Sequence, residues 1–402
     1  MRVTNSIMFT NFLAQLQRLN TDFFKFNEQV TTGKRINRPS DDPVNFTNLS
    51  AIKSEVSILT QYVENTETAL NRMTATDARL NDFSIGLTRA IQLTEQAANE
   101  PNVAEPRSAI AKELESLTQE LLSTADARVG GRALFAGTRN TTDALQLIAG
   151  NPDGDVYSAS STVVTSNGSA ATLTATIPDP RVYDEHILQV RITDAATGAY
   201  EVIDLDARDA VVATGNLAVP AGGSFSVQGV DVTIGAGFAT GDLFTIVPEY
   251  AYNGTEDDID MQIDENSSIV QNVTGSDAFG GTEPTGGVQN PGGTLFDDLA
   301  ELRRAILTDD QPAILTSIDT MRARFDDMNA VRARAGGRIA NLQNIQERNE
   351  FEASELLVQI SKIESVDLPQ AITKLTQTQT GLQAALSAAA RIGQLNLFDF
   401  IG

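Results

Sequence analysis

"KRINRPSDDPVNF" (residues 34–46) sets two basic residues, a proline, an acidic pair and a second proline between two long apolar repeats. Before it, Phe9, Phe12, Leu16, Leu19, Phe23, Phe26 and Val30 recur at steps of three and four. That spacing draws one narrow stripe along a helix. After it the pattern resumes through Leu49, Ile52, Val56, Leu59, Val63, Thr66, Leu70, Met73, Asp77, Leu80, Ser84, Leu87 and Ile91. Asn99, Glu100 and Pro101 stop it. Pro39 and Pro43 lack an N–H donor, and each disfavours helix for the residue before it. The stretch therefore reads as a corner that ends one helix and starts the next. Ser40 or Asp41 is placed to cap the second helix, and the acidic pair suits its positive N-terminal end.

Further stripes follow. Ile110, Leu114, Leu117 and Leu121 share a face beyond Pro106. Ile314, Ile318, Met321, Phe325 and Met328 lead into Ile339 and Leu342, and Leu368, Ile372, Leu375, Gln379, Leu382, Leu386 and Ala389 repeat near the end. A helix from about Leu49 to Ala98 is about 75 Å long at 1.5 Å per residue. A compact globule of this chain length has a radius of gyration of roughly 21 Å. The expectation is a long antiparallel helical rod built from both chain ends.

The middle differs. "HILQVRIT" (186–193), "YEVIDL" (200–205), "SFSVQGVDVTIG" (224–235) and "DLFTIVPEY" (242–250) alternate, with Gly, Asn, Asp and Pro between them. The fold class is mainly α with an inserted β domain. Residues 275–293 read as a Gly/Pro-rich connector back to the helices.

Composition limits the chemistry. The chain has 402 residues with 29 basic and 53 acidic side chains, a net charge of −24. So acidic a surface disfavours nucleic acid and anionic membranes as partners. There is no cysteine, hence no disulfide, thiol nucleophile or Cys-ligated metal. Residues 1–30 show no basic segment followed by an apolar run of the signal-peptide kind, and no apolar run approaches the roughly 18 residues of a membrane span. The single histidine, His186, opens a strand pattern with no Cys, Ser motif or second His to work with. "DDIDMQIDEN" (257–266) puts Asp258, Asp260, Gln262 and Asp264 on one strand side, but lacks the Gly and bidentate Glu of a calcium loop. "VGGR" (129–132) and "AGGR" (335–338) lack a phosphate-loop lysine and read as helix breaks or close packing points. No catalytic, cofactor or metal site is expected, and no enzyme activity.

"TTGKRINRPSDDPVNFTNLSAIKSEV" (31–56) resembles the signature segment of bacterial flagellins and their hook–filament junction proteins. "GGRALFAGT" (130–138) and "LTQTQTGLQAALSAAARIGQLNLFDFI" (375–401) resemble segments of the junction proteins, and "DDP" (41–43) with the "NLFDFI" tail favours these over flagellins. The resemblance covers both chain ends, about 200 residues, and not the β insertion. It implies a structural subunit of the bacterial flagellum, secreted unfolded and located extracellularly at the hook–filament junction; the alternative is a flagellin-type filament subunit. Implied partners are further copies in a ring, a neighbouring hook-associated protein, flagellin and an export chaperone. On this reading Phe9, Phe12, Leu16, Leu19, Phe23, Phe26, Leu375, Leu382, Leu386, Leu397 and Phe398 form the assembly interface, and Pro39, Asp41, Asp42 and Pro43 an interlayer hinge. The expected divisions are an N-terminal axial helix (1–40), a first rod half (41–149), the β domain (150–255), a β/Gly-rich return (256–294), a second rod half (295–364) and a C-terminal axial helix (365–402).

Overall fold

In the computed structural model, residues 2–99, 104–139, 141, 143–147, 158–159, 161–165, 171–177, 185–219, 221–282 and 293–401 are described. Their helices are α1 (Arg2–Thr32), α2 (Pro43–Asn99), α3 (Ala104–Ala125), α4 (Gly275–Phe279), α5 (Leu295–Leu307), α6 (Gln311–Glu364) and α7 (Leu368–Ile401). The chain divides into two compact units, Met1–Glu64 with Ile345–Gly402, and Asn65–Asn344.

The first unit is all helix and draws on both chain ends. Leu19 lies against Gly381, and the Lys374 ammonium sits 5.7 Å from the Phe26 ring centre. Seven residues up one helix match seven residues down the other, so α1 and α7 pair antiparallel. The sequence stripe of α1 faces this seam, but Phe12, Leu16, Leu19, Phe23, Phe26 and Val30 are only half-buried. On α7 the seam uses Ala371, Leu375, Thr378, Leu382, Ala385 and Ala389, while Leu368, Ile372 and Leu386 stay exposed. The expected α7 stripe is thus split between two faces.

The second unit has two cores. In the helical one Phe83, Phe135, Phe279 and Phe296 are fully buried, with the Phe83 and Phe279 rings 4.5 Å apart and Phe135 meeting Phe83 edge-on at 6.5 Å. Aromatic pairs of this kind add about 0.5–1.5 kcal/mol beyond their buried area. Leu80, Phe83, Leu87, Ala90 and Leu93 supply the α2 face. Asp77, assigned to that stripe by spacing alone, is half-buried at its edge and pairs with Arg332 at 3.5 Å. A wide apolar face, rather than a narrow heptad seam, suits a core covered on several sides.

"GGRALFAGT" plugs this core. Strands β1 (Arg128–Val129) and β2 (Arg132–Ala133) form a hairpin across Gly130 and Gly131, both at positive φ. The first double glycine is therefore a hairpin turn, not a helix break. Ala133, Leu134, Phe135 and Ala136 are buried behind it, and a Cβ on Gly137 would meet the Thr255 carbonyl at 2.3 Å. The second double glycine corrects the expectation differently: α6 runs through Gly336 and Gly337 unbroken, and a Cβ on either would meet nothing within 4 Å.

The β core lies between two sheets. The remaining strands are β3 (Leu145–Leu147), β4 (Ser158–Ala159), β5 (Ser161–Thr165), β6 (Leu173–Thr176), β7 (Leu188–Asp194), β8 (Ala199–Asp204), β9 (Ala210–Asn216), β10 (Gly223–Val227), β11 (Val230–Ile234), β12 (Leu243–Ile246), β13 (Tyr250–Tyr252), β14 (Asp260–Asp264) and β15 (Ser267–Val270). A sheet ordered β5-β12-β7-β8-β9 and one ordered β10-β11-β6-β4 are antiparallel throughout. Alternate residues such as Val190, Ile192, Val202, Val230, Val232 and Phe244 fill the space between them. Small two-stranded sheets pair β3 with β13 and β14 with β15. The expected connector is partly helical: Thr274 caps α4, which buries Phe279, whereas residues 283–292 lie outside the described residues.

His186 has a partner that its strand pattern did not reveal. Its Nδ1 lies 2.7 Å from Oδ2 of buried Asp204, whose other oxygen accepts the N–H groups of Asp206 and Ala207. Burial alone would raise the Asp204 pKa; the bonds from His186, Gln228 and Ala207 bring it below the ordinary value. The arrangement is a satisfied buried acid in the β unit.

Candidate assembly interface

The opening corner is a dense polar joint. α1 ends at Thr32, and Gly33 at φ 70° donates its N–H to the Gln29 carbonyl at 2.9 Å. A left-handed residue just past a helix costs least as glycine. The chain then pairs with the second corner of the unit, between α6 and α7. Arg35 N donates to Glu364 O at 2.6 Å, Val366 N donates to Gly33 O at 3.0 Å, and Lys34 faces Ser365 in an antiparallel bridge. The Arg35 guanidinium also donates to Ile363 O at 3.0 Å, and Ile36 anchors the corner at 2% exposure.

Arg38 to Asp41 forms a tight turn closed by Asp41 N donating to Arg38 O at 3.0 Å, with Pro39 at its second position. Asp41 looks backward: Oδ2 accepts the N–H groups of Asn37 (3.2 Å) and Arg38 (3.0 Å), and Oδ1 lies 3.4 Å from Lys25. Asp42, rather than Ser40 or Asp41, caps α2. Its Oδ1 accepts Asn45 N at 3.2 Å, its Oδ2 accepts Asn45 Nδ2 at 2.6 Å, and its carbonyl accepts Phe46 N. Pro43 is the first helical residue, a position where the missing N–H costs nothing and the fixed φ favours the helix. Pro43 starts α2.

Glu364 was not picked out from the sequence. It is 9% exposed, and its Oε1 lies 2.9 Å from both Lys34 and Lys53. Burial tends to raise its pKa, but the two ammonium groups bring it below the ordinary value. Asp41 is likewise lowered, burial being outweighed by the Arg38 and Asn37 N–H groups and by Lys25. Asp42 is lowered by its bonds from Asn45, with Arg35 adding. No local signal could have found Glu364, because its partners lie some three hundred residues away in sequence.

The residues expected at the assembly interface fall into three groups. Phe12, Leu16, Leu19, Phe23, Phe26, Leu375 and Leu382 sit half-buried at the α1–α7 seam, and Leu386 is 53% exposed on the outer face of α7. Phe9, Leu397 and Phe398 are helical in backbone, but their side chains lie outside the described ones. Other large apolar side chains of this unit are exposed too: Phe24, Val44, Phe351 and Leu357. Among the described residues there is no group of three or more His, Cys, Asp or Glu fit to hold a metal, and no helix is long and apolar enough to cross a membrane.

Helices from both chain ends meet at a proline-bearing polar corner, and an antiparallel β region lies between them in the sequence. Residues 3–140 match the bacterial flagellin N-terminal helical region. The chain is also similar to flagellar hook-associated protein 3. It is 29% identical to that protein of Salmonella typhimurium over 145 residues, which is 34% of this chain and 44% of the relative. To that of Escherichia coli it is 24% identical over 143 residues, 35% of this chain and 45% of the relative. The matched stretch spans less than half the length of either. The crystal structure of Xanthomonas campestris FlgL superposes with a TM-score of 0.40 at 19% identity, covering 77% of this chain and 99% of that one.

Proposed function

We propose that the chain is a structural, non-catalytic subunit of the bacterial flagellum that joins the hook to the filament. It is exported, with an export chaperone covering its helical ends beforehand. It then packs against further copies in a ring, against a neighbouring hook-associated protein and against flagellin. The observation that carries this reading is the surface of the first unit. Phe24 is 63% exposed, Val44 72%, Phe351 67%, Leu357 53%, Ile372 50% and Leu386 53%. So many large apolar side chains on one small helical unit mark surfaces that are covered by other chains. The similarity to flagellar hook-associated protein 3 supports the flagellum as the assembly that holds those chains.

In this reading the polar joint around Asp41, Asp42 and Glu364 is the interlayer hinge. It fixes how α1 meets α2 and how α6 meets α7. Immunogold labelling of intact cells tests the proposal. Label confined to the base of the filament supports a junction subunit; label along the whole shaft transfers the chain to the filament, the second reading that the flagellin-like residues 3–140 keep open. Hooks that carry normal filaments in a strain lacking the protein would overturn both.

A further inference from the structure

The second unit carries two charge clusters of opposite sign at separate places. The first two turns of α3, the β8–β9 turn and the end of α5 enclose a cavity of about 740 Å³, within the roughly 300–1,000 Å³ of ligand-holding clefts. Arg107, Lys112 and Arg208 line it around apolar Leu205 and Leu307. Arg107 is held by Asp309, and Asp206 by the Ile187 N–H at 2.7 Å and by Arg303. Lys112 and Arg208 are exposed and have no partner among the described residues, in a chain with 53 acidic side chains to offer; Asp209 is the one unpaired acid beside them. Arg208 and Asp209 both hold left-handed backbone, φ 59° and 57°. Non-glycine residues rarely take that conformation, so this tight turn is a specified feature.

The opposite cluster is the β14–β15 hairpin with its approach. Residues 256–265, "EDDIDMQIDE", contain six acids and no base. Asp258, Asp260 and Glu265 are exposed and have no cationic partner among the described residues. Ile263 is buried at 3%, and Asn65 Nδ2 donates to Gln262 O at 2.9 Å, which seats the hairpin beside the Asn65 end of α2 in this unit. The cavity lies at the far end of the same helix. Gln311 Nε2 donates to Ala98 O at 2.9 Å, and Asp309, two residues earlier, holds Arg107. From Asn65 to Ala98 the helix runs about 50 Å, so a hairpin cannot reach the groove of its own copy.

We propose that the acidic β14–β15 hairpin of one copy docks into the cationic α3/β8–β9 groove of the next. The contact is heterologous: one end of a copy meets the other end of its neighbour, the geometry that generates rings or helical stacks. Lys112 and Arg208 receive the carboxylates of Asp258, Asp260 or Glu265. Charge of this kind steers association and weakens with salt. The proposal deepens the self-association put forward above, and its test uses purified full-length protein. Its failure therefore leaves the flagellar reading, which is judged on cells, standing.

The chain has no cysteine, so single cysteines report contacts cleanly. Ser108→Cys places a thiol in the groove and Asn266→Cys places one at the hairpin tip. Mixed under mild oxidation, the two proteins are expected to form a disulfide-linked dimer at least roughly tenfold faster at about 50 mM than at about 500 mM salt. Ser123→Cys, exposed on α3 and about 22 Å along the helix from Ser108, is the slow control. A groove reversal (Lys112→Glu with Arg208→Glu) and a hairpin reversal (Asp258→Lys, Asp260→Lys with Glu265→Lys) are each expected to abolish the cross-link within their own copies. Mixing the two reversed proteins is expected to restore it, because the unaltered groove of one then meets the unaltered hairpin of the other, and the three introduced lysines meet the two introduced glutamates. Circular dichroism verifies that both reversed proteins keep their folds. Cross-linking no faster than the Ser123→Cys control, or insensitive to salt, would overturn the proposal. So would two reversed proteins that stay unlinked when mixed.

Discussion

At the scale of single residues the corner rests on carboxylates with unlike tasks. Asp42 satisfies the first turn of α2, and Pro43 merely begins it. Replacing an Asp cap by alanine costs about 0.5–2 kcal/mol. Asp42→Ala is therefore expected to lower stability by about that amount in denaturant melts, and Pro43→Ala by clearly less. Equal losses would mean that the proline, not the cap, holds the corner. Acid gives a second test. Asp41, Asp42 and Glu364 all have folded pKa values below ordinary. A depressed folded pKa contributes stability above the unfolded value, about 3.9 for Asp and 4.3 for Glu, and that stability is lost as pH falls through the folded value. The corner is expected to loosen from about pH 4 downward, read as faster amide exchange at residues 33–46. In Asp41→Asn with Glu364→Gln, exchange there is expected to depend less on pH over the same window. An unchanged acid slope in that variant would remove these groups from the account.

At the scale of elements, α1 and α7 are long helices with a thin seam. Among the described residues the α1 stripe is nowhere fully buried, and on α7 the buried seam positions are an alanine and a threonine. Phe83, Leu80 and Leu87 in the second unit are at 0% exposure. Burial of a large apolar side chain is worth about 1.5–3 kcal/mol, so half-burial leaves this pair weakly held against the entropy of ordering it. Limited proteolysis is expected to cut within residues 2–32 and 368–401 first and to spare the core around Phe83. Amide exchange in α1 as slow as that around Phe83 would contradict this. Gly336 and Gly337 offer a contrast within α6. Nothing lies where their Cβ atoms would go, and mid-helix glycine costs about 0.5–1 kcal/mol relative to alanine. Gly336→Ala with Gly337→Ala is expected to raise the midpoint of thermal unfolding; a lowered midpoint would mean that the helix needs its glycines in the folded monomer.

At the scale of the whole molecule the two units divide the labour. The second closes its own cores around Phe83 and between the β sheets. The first leaves Phe351 and Leu386 largely outside. Exposed positions usually tolerate substitution within about 0.5 kcal/mol. Phe351→Asp and Leu386→Asp are thus expected to melt like the wild type yet to incorporate poorly into flagella when co-expressed with it. Incorporation equal to wild type would show that these side chains face solvent in the assembly as well.

The sequence by itself determined what is local. Steps of three and four drew α1, α2, α3, α6 and α7, alternation drew β7, β8, β10, β11 and β12, and the prolines with the acidic pair marked the corner. These signals are strong because helix and strand periods depend only on near neighbours. Strand β9 escaped notice because Ala, Thr and Gly give it little alternation, and β6 because its alternation spans only four strand residues. The tertiary structure alone decided which neighbours those elements met. It split the α7 stripe between a seam and an exposed face, made Asp42 the cap, and passed α6 through two glycines. It set Glu364 between Lys34 and Lys53, and buried Asp204 beside His186. Each of these depends on contacts between residues far apart in the chain. No spacing rule reaches that far; packing and the pairing of buried polar groups do.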